Sequence, residues 1–258
     1  MSEQKVATHV HGHIGVIAFC APPHNFASVP LLRLIADAID DFDRDPDVWV
    51  LLLRSEGRSF CAGADLGGDP AVSGEEGIAE IGRLYEQAAR LFSRKKVMVA
   101  AIQGAAIGAG LGLALTADFR LASPSARFSA NFARLGFHPG FALTLTLPRL
   151  IGAQRAAWLM LSAERMKAEQ AVAWGLADRL APDADLHEHA LAFATQLAQN
   201  APLALSAIRA TLNDGFAERA AAAMALELHE QAKLKGTRDF AEGVASVFER
   251  RDARFIGS

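Results

Sequence analysis

Two glycine-rich segments carry the residue types from which a main-chain binding site can be built. The first is Gly57-Arg-Ser-Phe-Cys-Ala-Gly-Ala-Asp-Leu66 and the second is Gly104-Ala-Ala-Ile-Gly-Ala-Gly-Leu-Gly112. Gly63 accepts backbone angles that other residues resist, which lets the Ala64 N–H turn into a cleft. The second segment opens a short helix. Its first N–H groups have no intrahelical acceptor and stand at the positive end of the helix dipole. Two such amides meeting at one point would stabilise an oxygen that gains negative charge, and the small side chains let a ligand come close. Taken singly, either segment reads equally well as a tight turn.

Competing chemistries leave no trace. Gly108-Ala-Gly-Leu-Gly112 lacks the G-x-G-x-x-G spacing of dinucleotide folds, and no Gly-Lys-Ser/Thr follows Gly57 or Gly63 to make a phosphate loop. There is no G-x-S-x-G nucleophile elbow and no H-E-x-x-H zinc site. His9, His11 and His13 read as an exposed alternation on a terminal strand, so no metal is expected. A formal net charge of -3 gives no field that would draw nucleic acid. The apolar stretch Val97–Ala117 is broken by Gln103 and four glycines and falls short of a membrane span, which takes about 20 residues. Met1–Val10 has no apolar signal core, and Cys20 and Cys61 make no disulfide framework, so a reducing cytoplasm is the expected setting.

The elements that must position the two loops follow from the apolar pattern. Val48–Leu53 and Val97–Ile102 are continuous apolar runs, as strands buried on both faces require. Gly15–Cys20 and Phe119–Ala122 read as further strands. Ser28 and Pro30 open a helix with Leu31, Leu34, Ile35, Ala38, Ile39 and Phe42 at helical spacing, and another spans about Glu75–Arg94. A short small-residue helix is expected over Gly108–Ala117, and an apolar helix starting at Pro139. From Gln154 onward helical periodicity dominates, through Ala168–Trp174, Leu186–Gln199, Pro202–Asn213, Ala217–Leu234 and Phe240–Phe255. This alternation predicts an α/β fold: a core over residues 1–200 and a helical part over 201–258, with no linker dividing them.

Phe60-Cys-Ala-Gly-Ala-Asp-Leu66 is similar to the F-x-A-G-A-D-[LI] signature of the enoyl-CoA hydratase/isomerase (crotonase) family. Gln103–Asp118 resembles that family's N-G-x-A-x-G-G-G-x-E-L-A-x-x-x-D segment. Leu135–Gly140, Ala168–Ala177 and Phe240–Phe255 resemble three further blocks in order, so the likeness spans nearly the whole chain. It implies a ClpP/crotonase-type spiral core of ββα units and an acyl-CoA thioester as substrate, with coenzyme A bound only as part of it. Ala64 and Ala109 would supply the two oxyanion amides. Ala62, Asp65, Leu66 and Gly67 would lie beside the pantetheine and adenine parts, with Asn25 and Phe26 on the adenine side and Gly108 beside the oxyanion amide of Ala109. Asp65 would also hold the loop in shape. A homotrimer or dimer of trimers is implied, the helical C-terminal part serving assembly and closure of the CoA pocket. A helix bearing Arg250, Arg251, Arg254 and Phe255 would approach the CoA phosphates; otherwise that cluster is a solvated helix end.

The sequence departs from the family where its hydratases carry two glutamates: Gly112 and Phe132 stand there. No Asp or Glu occurs between Asp118 and Glu164 to take the second place. Some other group must then move the proton. His138, in Gly136-Phe-His-Pro-Gly140, titrates near neutrality and is the first candidate, unless it caps the following helix. Tyr85, the one tyrosine, lies on the apolar face of its helix and is the second, unless it is a core residue with its oxygen at the rim. Asn131 and Arg134 flank the vacant glutamate position; Asn131 can orient water or a carbonyl, and Phe132 makes that wall apolar. Asp69, Glu75 and Glu76 read as solvated or capping residues. The expected activity is an enolate-stabilising hydratase or isomerase. Decarboxylation or thioester hydrolysis on the same scaffold, or non-catalytic CoA-ester binding, are the alternatives.

Overall fold

The computed structural model describes residues 4–64 and 75–258. Strands β1 (Lys5–His11) and β2 (Ile14–Cys20) form an antiparallel hairpin, and β3 (Val50–Ser55) and β4 (Val97–Ile102) continue the sheet in parallel. Parallel neighbours need crossovers. Helix α1 (Val29–Arg44) joins β2 to β3, and α2 (Glu75–Phe92) leads into β4. After β4 the chain leaves the sheet for β5 (Ala105–Ile107) and α3 (Ala109–Leu115), then returns as β6 (Phe119–Ala122). Strand β7 (Arg127–Ser129) pairs with β5 and with β8 (Met166–Lys167) in a small second sheet, and β9 (Arg179–Leu180) closes the large one in the order β1-β2-β3-β4-β6-β9. The small sheet escaped the sequence reading because strands of two or three residues leave no periodicity to detect.

The apolar runs are continuous because both sheet faces are covered. Alternate residues point to opposite faces: Ile17, Phe19, Leu51, Leu53, Met98 and Ala100 enter the main core with α1 and α2. Val16, Val50, Leu52, Val99 and Ala101 pack instead under Leu186, Ala190 and Ala194 of a later helix, Leu186–Leu197. On α1 the Ser28 side chain accepts a bond from Leu31 N at 3.2 Å, with Pro30 in the first turn, so the helix starts where the sequence placed it.

Helix α4 (Leu143–Ile151) follows the 136–142 turn; α5 (Ala153–Ser162), α6 (Ala168–Trp174) and α7 (Leu186–Leu197) come next, then α8 (Pro202–Leu212), α9 (Phe216–Lys235) and α10 (Arg238–Glu249). Helix α9 lies against α2 and α4 through Ala220, Met224, Glu227 and Gln231, residues spaced along one face. Helix α8 is tied to the core by Arg209, whose Nε reaches the Asp118 carboxylate at 3.1 Å beside Arg94 at 2.7 Å.

Two expected boundaries are corrected. The helix after His138 begins at Leu143, not Pro139, because Phe141 and Ala142 take left-handed backbone angles (φ 61 and 57) that break any helix before them. The last helix ends at Glu249, so Arg250, Arg251, Arg254 and Phe255 are not helical. Arg250 adopts a left-handed cap (φ 54), and the tail turns back along α10. Arg251 pairs there with Glu242, and the Asp239 carboxylate accepts from Ile256 N and Gly257 N.

Candidate functional site

A cavity of about 570 Å³ opens where the two glycine-rich segments meet α2, α9 and the turn before α4. Cys61 and Ala106 pair as a parallel bridge, fixed by Cys61 N to Ala105 O at 2.8 Å and Ile107 N to Cys61 O at 3.1 Å. The first segment is also stitched to the turn after β2, by Ala62 N to His24 O and Ala27 N to Gly63 O. Gly63 takes φ +106 and Gly108 φ +53, angles that glycine adopts without strain. A side chain on Gly110 would come within 2.1 Å of Cys61 O, so its absence lets the start of α3 seat directly on the first loop.

Ala62, Ala64, Gly108, Ala109, Asn131, Phe132 and Tyr85 all line this one cavity. The amides of Ala62 and Gly108 are spent on His24 O and Ser129 O. Among the described residues, those of Ala64 and Ala109 have no acceptor. Asp65, Leu66, Gly67 and Asp69 lie outside the described residues. Glu76 lines the cavity, and so does Glu80, which pairs with Arg83 at 2.5 Å.

Other predicted residues fall elsewhere. Asn25 is buried and spends its amide on the scaffold: Oδ1 accepts from Ala21 N at 2.7 Å, and Nδ2 donates to Glu56 O at 2.7 Å and Ser59 O at 2.8 Å. It braces the first loop from behind. Phe26 packs edge-on against His24 and is not part of the cavity wall. His138 is also off the wall, although Phe137 and Gly140 on either side are on it. Its Nδ1 lies 2.7 Å from Pro139 O. A carbonyl only accepts, so Nδ1 carries the proton and a neutral ring leaves Nε2 as acceptor.

The two positions where glutamates were expected are filled by apolar groups. A Cβ on Gly112 would sit 2.5 Å from the Phe141 side chain, which occupies that space, and Phe132 forms the wall near Gly108. Phe141 reaches Gly112 because of its left-handed backbone. No local pattern around Phe141 marks that turn.

Local sequence pattern does not reveal Glu227 and Gln231 on α9 either: Gln231 lines the cavity and Glu227 lies behind it. Glu227 is fully buried; its Oε2 accepts from Ala142 N at 2.8 Å, and its Oε1 from Thr144 N at 3.0 Å and Thr144 Oγ1 at 2.6 Å. Burial pushes its pKa up, while Thr144, Ala142 and His138 pull it down without reversing the shift. Gln231 accepts the Tyr85 hydroxyl at 2.9 Å and donates to His138 O at 2.9 Å. Burial, and then the Glu227 charge, raise the Tyr85 phenol well above its ordinary value despite the Gln231 bond. Tyr85 is thus a neutral hydroxyl at any physiological pH. The signal for Glu227 was available, since it repeats at helical spacing with Ala220, Met224 and Gln231, but a glutamate on such a stripe reads as a misfit until its partners are seen.

A larger cavity, about 680 Å³, lies under the C-terminal tail and contains Arg238, Glu242, Arg251 and Arg254 but no residue of either glycine-rich loop. Arg251 there is engaged by Glu242 and Glu249. Among the described residues, no group of three or more His, Cys, Asp or Glu can hold a metal, and no helix is long and apolar enough to cross a membrane.

Residues 9–258 match the sequence family described as enoyl-CoA hydratase/isomerase. A Rhodobacter capsulatus protein named "Probable enoyl-CoA hydratase" is 37% identical over 208 residues, 80% of each chain. The 1,2-epoxyphenylacetyl-CoA isomerase of Escherichia coli is 32% identical over 227 residues, 86% of this chain and 87% of its own. Among solved structures, an enoyl-CoA hydratase/isomerase from Pseudoalteromonas atlantica superposes with a TM-score of 0.85 at 28% identity, covering 97% of this chain and 99% of that one.

Proposed function

The chain belongs to the enoyl-CoA hydratase/isomerase family, and we propose that it binds an acyl-CoA thioester with the carbonyl oxygen between the N–H groups of Ala64 and Ala109. One observation carries this reading. Both alanines line the same cavity, each three positions past the Cys61–Ala106 bridge, and among the described residues neither amide has an acceptor. Two donors fixed in place before the substrate arrives need no reorganisation as charge develops on the oxygen, so they favour the enolate over the neutral thioester.

An enolate forms only if a proton moves. With Gly112 and Phe132 in place of carboxylates, hydration by a glutamate pair is disfavoured, and isomerisation or another enolate reaction fits better. Tyr85 lies on the cavity wall and holds its proton tightly, so it is not a base; its hydroxyl donates to Gln231 and would serve a substrate as donor only by exchanging that partner. His138 stands one residue behind the wall and needs a movement of the 137–140 turn to serve. Asn131 would orient a carbonyl or water. Coenzyme A enters as part of the substrate, passing Ala62. Assembly into a trimer or a dimer of trimers is supported by exposed Leu203, Ile208 and Leu212 on α8 and Leu226 on α9.

The test is a panel of α,β- and β,γ-enoyl-CoA thioesters followed by absorbance of the conjugated thioester. Turnover in the wild type that disappears in Tyr85→Phe and persists in His138→Ala assigns the hydroxyl; the reverse assigns the imidazole. Tight thioester binding without turnover of any member would replace the enzyme with a CoA-ester binding protein.

A further inference from the structure

Helix α9 brings two polar side chains, one helical turn apart, to this wall: Gln231 lines the cavity, and Glu227, fully buried, lies behind it. Gln231 takes the Tyr85 hydroxyl and donates to His138 O; Glu227 takes the amides of Ala142 and Thr144 and the Thr144 hydroxyl. Together they hold both ends of the 138–144 turn that presents Phe141. The packing leaves no slack: a Cβ on Gly140 would fall 1.7 Å from Tyr85 Oη and 2.6 Å from Gln231 Nε2. The Tyr85 hydroxyl proton and both Glu227 oxygens are already matched within the protein. Leu84, Phe132, Leu135, Phe137 and Phe141 supply the apolar part of the cavity wall, which Arg83 and Asn131 also line.

We propose that Glu227 and Gln231 determine specificity, restricting the acyl end of the cavity to uncharged, apolar acyl groups and excluding acyl groups that end in a carboxylate. The inference rests on the acyl-CoA reading above. Its physical content is twofold. A carboxylate entering beside Tyr85 and Phe141 leaves water for a largely apolar surface whose hydroxyl proton is already given to Gln231. It also approaches Glu227, whose two oxygens accept three hydrogen bonds and donate none, as an ionised carboxylate does. Like charge and desolvation then act in the same direction. Glu227 touches no substrate in this account; it acts through its charge and through the turn it holds.

Two saturated thioesters that cannot undergo hydration, octanoyl-CoA and succinyl-CoA, test this by calorimetric titration, with free CoA as the reference for the shared part of the ligand. The wild type is expected to favour octanoyl-CoA over succinyl-CoA by at least about 30-fold, since an unmatched buried charge is a heavy penalty. In Glu227→Gln, and separately in Gln231→Leu, which frees the Tyr85 hydroxyl to donate, that ratio should fall by at least about fivefold while affinity for free CoA stays as in the wild type. A merely structural role would weaken both thioesters together and leave the ratio unchanged. A wild type that binds both thioesters within about threefold, less than one unmatched polar group is worth, overturns the proposal. So do two folded variants with the wild-type ratio. If neither thioester nor CoA binds the wild type, the acyl-CoA reading itself fails and the inference goes with it. Should Glu227→Gln not fold, Gln231→Leu and Gln231→Met carry the comparison.

Discussion

Cys61 and Ala106 pair side by side in parallel register, although they belong to segments more than forty residues apart. The carbonyl of Cys61 lies against the bare Cα of Gly110, four positions past Ala106. That contact sets the separation of the two loops. Gly110→Ala would put a methyl group 2.1 Å from a main-chain oxygen, which cannot swing aside as a side chain can. The expected loss is at least the roughly 1–3 kcal/mol of an overpacked core, measured by urea unfolding, together with loss of thioester binding. A Gly110→Ala protein with wild-type stability and wild-type affinity would show that the loops are held apart by something else.

Restoring the missing glutamate should fail unless room is made for it. Gly112→Glu drives its side chain into the Phe141 ring and is expected to unfold the chain or leave it inactive. Gly112→Glu combined with Phe141→Ala opens the space the ring vacates. The pair should be more stable than Gly112→Glu alone, although Phe141→Ala by itself costs about 3–5 kcal/mol. Thermal unfolding of the four proteins closes the cycle. Additive losses would mean that the ring and the new side chain do not compete.

Tyr85 is the single tyrosine, so its ionisation can be followed by ultraviolet absorbance without interference. Burial and the neighbouring Glu227 raise its pKa in the folded state above the ordinary value of 10.0. Above that ordinary value the unfolded chain loses the phenolic proton and the folded chain keeps it. Stability contributed by this group is therefore intact below about pH 10 and declines as pH rises further. Tyrosinate absorbance should appear only as the protein unfolds. A phenol that titrates near its ordinary value in still-folded protein would place the hydroxyl in solvent.

The two thiols should separate cleanly. Cys61 is fully buried, and burial lifts its thiol to about 11 against the opposing pull of the Gly63 and Ala27 backbone. Cys20 is half-buried. An aromatic disulfide reagent at pH 8 should titrate Cys61 only after denaturant is added, because the thiolate is the reacting form. Rapid reaction of Cys61 in native protein would mean that the first loop opens readily.

Asp118 anchors the C-terminal helices through Arg94 and Arg209. Burial alone would raise its carboxyl, but the two guanidiniums outweigh that and hold it below its usual range. The stability it contributes is present above about pH 4 and is lost as pH falls through the lowered folded-state value. Asp118→Asn leaves Arg94, itself depressed to about 10 by burial, facing Arg209 without a counter-charge. The expected cost is about 3–5 kcal/mol by chemical denaturation, with the pH dependence below pH 4 flattened. A cost under about 1 kcal/mol would put the pair in the class of surface ion pairs.

The strands, crossovers and glycine-rich loops were legible because each rests on local chemistry: apolar runs covered on both faces, Ser28 and Pro30 opening α1, glycines at Gly63 and Gly108 where φ is positive. The wall opposite those loops was not. Phe141 reads as one more core aromatic until its left-handed angle turns it onto Gly112. Glu227 and Gln231 meet Thr144 and Tyr85 across 83 and 146 residues of sequence, and no local pattern encodes such a meeting. The placement of His138 was no more legible: its type and neighbours point to the cavity, and Phe137 and Gly140 on either side line it while the imidazole does not.

The seat of Gly110 on Cys61 separates shape from grip. The junction is made chiefly of main-chain atoms, and at Gly110 it depends on a side chain being absent. Substitution at Phe132, Leu135 or Tyr85 can therefore reshape the chamber without touching the seam between the loops.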